Sequence, residues 1–92
     1  MMIPTVHLNG SGATILLTQL RETYVAVKTA MDTLQSAAPH GRDYYVQGPD
    51  AYAAAAREHA DRYARLNSVM MELVAIAEAV QEQKRSALRA PG

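Results

Sequence analysis

The chain has 92 residues, nine basic and nine acidic side chains, and a formal net charge of zero. That length is one small domain, and the charge balance gives no global attraction to DNA, RNA or an anionic membrane. There is no cysteine, which excludes disulfides, thiolate metal ligands and a thiol nucleophile, and fits a reducing cytoplasm.

The N-terminal stretch Met1-Met2-Ile3-Pro4-Thr5-Val6 has neither a charged leader nor a long apolar core, so it does not read as a signal peptide. No apolar run approaches the roughly 20 residues a bilayer span needs, and no membrane partner is expected. Residues 1–12 read as a short extended segment that then turns. Thr5-Val6-His7-Leu8 alternates polar and apolar, and Asn9-Gly10-Ser11-Gly12 is a turn signal with Ser11 placed as an N-cap. Free backbone N–H groups at such a helix start form a candidate anion site. A plain cap is the commoner use of such a sequence, and the lack of a following Gly-Lys-Ser/Thr excludes a P-loop.

A first helix is predicted over 13–38. Ala13, Leu17, Leu20, Tyr24, Val27, Met31, Leu34 and Ala38 step alternately by four and three, a heptad-like stripe on one face. Pro39 and Gly41 stop it. A second helix is predicted over 49–86, with Pro49 at its first position and Asp50 in its first turn. Its stripe is Tyr52, Ala56, His59, Tyr63, Leu66, Met70, Leu73, Ala77 and Val80. Glu58 with Arg62 and Asp61 with Arg65 are spaced as i,i+4 ion pairs.

Two helices joined by the connector 39–48 predict an all-α fold, an antiparallel hairpin in a single domain over 1–92. Heptad spacing about the connector places Leu34 opposite Ala56, Met31 opposite His59 and Leu17 opposite Leu73. The second helix outlasts the first by about two turns, and the N-terminal segment is expected along that overhang. Leu66, Val69, Met70, Leu73, Val74, Ile76, Ala77 and Val80 form an apolar band wider than one partner helix needs. Association into a helical-bundle homo-oligomer is the simplest way to cover it.

The connector is longer and chemically richer than a turn requires. His40, Arg42, Tyr44, Tyr45 and Gln47 bring a guanidinium for phosphate, rings that stack on bases, and a carboxamide that reads a base edge. The competing reading, of equal weight, is a structural connector in which the tyrosines cover the bundle end and Arg42 pairs with Asp43 or Asp50. His7, Asn9 and Ser11 at the other end complete the candidate ligand set. His59 reads as a core histidine hydrogen-bonded to Tyr63 or Tyr52. Lys28, Arg57, Arg62 and Arg65 read as a solvated face. His7, His40 and His59 have no ligand spacing, so neither metal nor cofactor is expected. No nucleophile elbow and no carboxylate in an apolar pocket is legible, so no catalytic residue is assigned and an enzyme is not expected.

His7-Leu8-Asn9-Gly10 and Arg42-Asp43-Tyr44-Tyr45-Val46-Gln47-Gly48-Pro49 resemble the two motifs of a group of short phage and prophage helical-hairpin proteins. The resemblance covers roughly residues 5–80 and carries no activity with it. More loosely, the size and hairpin plan are similar to phage anti-defence proteins that oligomerise and sequester nucleotide second messengers. That likeness implies a non-catalytic sponge in the host cytoplasm, with a cyclic nucleotide or ADP-ribose-type ligand. The alternative is a protein-interaction or virion-accessory role for the tyrosine-rich connector, since Tyr and Arg are enriched at interaction hot spots.

Overall fold

The computed structural model describes residues 1–6 and 12–89, the last by its backbone alone. Helix α1 runs Gly12–Ser36 and helix α2 runs Ala51–Arg89, with two short 3-10 turns between them at Gly41–Asp43 and Tyr45–Gln47. Among the described residues there is no strand. The two helices pack against each other. The Lys84 ammonium donates to Thr14 Oγ1 at 3.3 Å, and a His59–Gln35 bond of 3.1 Å links the helices nearer the connector. The start of α1 therefore meets the end of α2, and the pair is antiparallel.

The two helix ends that flank the connector are set by local hydrogen bonds and differ from the boundaries inferred from sequence. The first ends at Ser36 rather than Ala38. The Ala37 and Ala38 N–H groups donate to the Leu34 and Gln35 carbonyls at 2.9 and 3.2 Å, the tighter three-residue pattern of a closing turn. Pro39 disfavours helical geometry at Ala38, so the tightening falls just ahead of it. The second helix begins at Ala51 rather than Pro49: its first four-residue bond runs from the Ala54 N–H to the Asp50 carbonyl, 3.0 Å. Pro49 and Asp50 form the turn before it. The chain enters that turn through Gly48, at φ 112° and ψ 167°, a region essentially restricted to glycine.

Burial follows the two stripes. Met31 and Val80 are the fully buried large side chains, Ala13 is also buried, and Leu17, Leu20, Tyr24, Val27, Leu34, Leu66, Met70 and Leu73 are half-buried. The ends of the stripes near the connector depart from the expected seam: Ala38 is exposed and Tyr52 is 46% exposed. The facing pairs explain why. Gln35 meets His59 and Thr14 meets Lys84, so the register runs one to two turns further along α2 than heptad spacing about the connector gave. The second 3-10 turn lies against α2. The first turns of α2 therefore extend past the end of α1 and lie beside the connector.

At the opposite end, Gln83 ties down the N-terminal segment. Its Oε1 accepts from the Val6 N–H at 3.0 Å and its Nε2 donates to the Pro4 carbonyl at 2.8 Å. Polar side chains on the outer faces are satisfied locally. The hydroxyls of Thr18, Thr23 and Thr33 donate to the carbonyls four residues earlier at 2.8–3.0 Å. Surface ion pairs join Lys28 to Asp32, Arg65 to Asp61 and Arg85 to Glu82 at 3.0–3.2 Å. The expected Asp61–Arg65 pair is among these. The expected Glu58–Arg62 pair is not formed among the described residues. Asp32, bonded to the Lys28 ammonium and attracting it, holds that lysine's pKa above its ordinary value.

The molecule is a rod of 70 × 19 × 15 Å, one helix thick. Its accessible area is 6822 Å², against about 5,200 Å² for a compact protein of its mass. A stable domain is ordinarily built of two packed layers; this chain supplies one.

Candidate functional site

The connector folds by short-range hydrogen bonding. His40 has extended backbone geometry and its Nδ1 accepts from the Arg42 N–H at 3.2 Å, which caps the first 3-10 turn. The Asp43 and Tyr44 N–H groups donate to the His40 and Gly41 carbonyls, both at 3.0 Å, and the Gln47 N–H donates to Tyr44 at 3.0 Å. Two successive tight turns separated by one residue send neighbouring side chains to different sides. Tyr44 is half-buried, whereas Tyr45 and Val46 are each 76% exposed.

Tyr44 and Gln47 line a cavity of about 560 Å³ between the connector and the two helices. Its floor is small and apolar: Ala51, Ala54 and Ala55 of α2, with Leu34, Ala37 and Pro39. Its polar wall is Glu58, His59 and Arg62 on the next two turns of α2. These α2 positions share a face by four- and three-residue spacing. A second depression of about 380 Å³, lined by Leu66, Val69 and Arg65, continues from the cavity across the shared residues Leu34 and Arg62.

The cavity's donors and acceptors are varied. With the Gln35 amide oxygen as acceptor, His59 donates from Nε2, and a neutral ring then leaves Nδ1 as an acceptor. Gln47 offers a carboxamide, Tyr44 a phenol and a ring face, Glu58 two acceptor oxygens, and Arg62 a planar fork of donors. Arg62 makes no ion pair among the described residues, and neither does Glu58.

Of the residues singled out from sequence, Tyr44 and Gln47 are brought together here. His40 is a capping residue and is exposed, and Arg42 and Tyr45 are exposed and do not line the cavity. The expected pairing of Arg42 with Asp43 or Asp50 does not occur among the described residues. His7, Asn9 and Ser11 lie outside the described residues. The hydrogen bond of His59 goes to Gln35 rather than to Tyr63 or Tyr52.

Comparison of the chain with known protein families, curated proteins and solved structures finds no match.

The sequence reading missed Glu58, His59 and Arg62 as wall residues. The signal was present as the step Ala51, Ala55, Glu58, Arg62, a small-residue face that ends in two charges. Two further observations bound the chemistry. Among the described residues no cluster of three or more His, Asp or Glu side chains is placed to hold a metal ion. Among the described residues no helix is long and apolar enough to cross a membrane.

Proposed function

We propose that the protein is a small, self-assembling, non-catalytic binding module of phage type. It sequesters a nucleotide second messenger, and the connector cavity is its pocket. The observation that supports this reading is the cavity itself. Its volume of about 560 Å³ falls in the range of roughly 300–1,000 Å³ that suits small-molecule ligands. It combines an aromatic wall, an apolar floor of alanines and a few convergent polar groups. Tyr44 supplies a ring face for a base, Gln47 and Glu58 supply hydrogen bonds to its edge, and Arg62 supplies a two-pronged donor for phosphate.

Calorimetric titration with cyclic dinucleotides and cyclic ADP-ribose variants tests the reading. One of them is expected to bind saturably, and Tyr44→Ala or Arg62→Ala is expected to weaken that binding about tenfold or more. No heat of binding from any of them removes the reading.

A second reading is favoured by a different observation. Tyr45 and Val46, adjacent and each 76% exposed, form an apolar patch at the tip of the rod. Such a patch suits a protein-interaction or virion-accessory role. A partner protein whose stoichiometric binding is abolished by Tyr45→Asp, while the parent binds no nucleotide, would establish this reading in place of the first.

A further inference from the structure

The rod has a groove of about 410 Å³ away from the connector, where Leu17, Leu20 and Tyr24 of α1 face Leu73, Val74 and Ala77 of α2. All six side chains are only half-buried. Arg21 lines it from α1 and Glu78 lines it from α2, both exposed. Neither charge has an ion-pair partner within the chain among the described residues.

We propose that this groove is the centre of a homodimer interface whose two-fold axis runs parallel to the long axis of the rod. The inference rests on the self-assembly part of the function proposed above and adds the face and the symmetry. Area is the first ground. The chain exposes 6822 Å², about 1,600 Å² more than a compact protein of its mass. A stable interface removes about 800 Å² from each partner. One 70 × 19 Å face of the rod is large enough to supply that, and stacking two single layers gives the two-layer bundle that helical domains ordinarily form.

Charge chooses the symmetry. A two-fold axis parallel to the rod lays α1 of one copy on α2 of the other, so each Arg21 meets the partner's Glu78 and the contact is made twice. A two-fold axis across the rod lays α1 on α1 and α2 on α2 at the groove, so that arginine meets arginine and glutamate meets glutamate. Like charges face to face oppose association. The first arrangement also puts both connector cavities at the same end of the assembly.

Charge reversal in trans tests this. Arg21→Glu and Glu78→Arg are exposed-site changes, and far-UV circular dichroism should show both variants helical. Each alone places two like-charge contacts in its own homodimer, and the dimer dissociation constant should rise by about tenfold or more. Mixed in equal amounts, the two restore both opposite-charge contacts, so native mass spectrometry should show heterodimer in excess of the half share that random pairing gives. Glu72→Arg carries the same net charge as Glu78→Arg but lies outside the groove. Mixed with Arg21→Glu, it should give no such excess. Homodimers of either variant as stable as the parent, a mixture without heterodimer excess, or equal rescue by Glu72→Arg overturns the interface. A parent protein that is monomeric at all concentrations instead overturns self-assembly, and the interface with it.

Discussion

Met31→Ala tests whether the seam between α1 and α2 is where the stability of this thin molecule resides. Met31 is 2% exposed, one of two fully buried large side chains. The change removes three heavy atoms beyond Cβ. At about 0.8 kcal/mol per methylene-sized group, the lost transfer free energy is about 2.4 kcal/mol. Whatever cavity remains adds about 24 cal/mol per Å³. A single layer of helices collapses readily around a deletion, so the total should lie near the low end of the 2–5 kcal/mol range for such changes. In a chain this size that corresponds to a fall in melting temperature of about 10–20 °C. Ile15→Ala is the control, because Ile15 on the same helix is 53% exposed and should cost well under half as much. Both are followed by thermal unfolding in far-UV circular dichroism at one fixed protomer concentration, since the proposed assembly would make the midpoint concentration-dependent. If Met31→Ala and Ile15→Ala shift the midpoint equally, the seam assigned here does not organise the fold.

Gly48→Ala should destabilise by about 1–3 kcal/mol in urea titration, because the glycine-only backbone geometry is the cause; no atom lies within 4 Å of the added methyl, so a neutral effect would mean the turn differs. Gln83→Ala removes both bonds to the N-terminal segment, and hydrogen exchange at Val6 should accelerate by an order of magnitude or more while the amides of mid-α1 stay protected. Lys28→Met should lower the melting temperature relative to the parent at neutral pH, since the raised pKa of Lys28 means that its charged form is favoured by folding. That stabilisation is present below the ordinary lysine pKa and is lost as pH rises through the raised one, so the gap between variant and parent should close in strongly alkaline buffer. A gap that widens there would reverse the sign of the linkage.

The middle of the hairpin was legible in the sequence because burial against a neighbour helix leaves a period. The positions from Ala13 to Leu34 and from Ala56 to Val80 that step by four and three are all buried or half-buried. The ends were less legible, because there the structure is decided by backbone hydrogen bonds and not by a stripe. Three-residue bonds at Ala37 and Ala38 end α1 two residues early. The connector then runs beside the first turns of α2, and the register between the helices is slid along. That slide is why His59, placed opposite Met31 by heptad counting, instead bonds Gln35 and stands in the cavity wall. It is also why Arg62, read as solvated, lines the same cavity. Tyr44 and Gln47 could be singled out from the connector's composition, but Tyr44 could not be told from Tyr45. Their separation depends on the two tight turns, and the first of these depends on His40 spending its ring nitrogen on the Arg42 N–H.

The proposed function joins self-assembly to a nucleotide in the connector cavity. Native mass spectrometry of the protein with each cyclic dinucleotide and each cyclic ADP-ribose variant tests both halves at once. The expected result is an assembly containing an even number of 10.0 kDa chains, carrying up to one nucleotide per chain, with the nucleotide lost and the assembly kept in Tyr44→Ala. A monomer whose mass no nucleotide changes would contradict it.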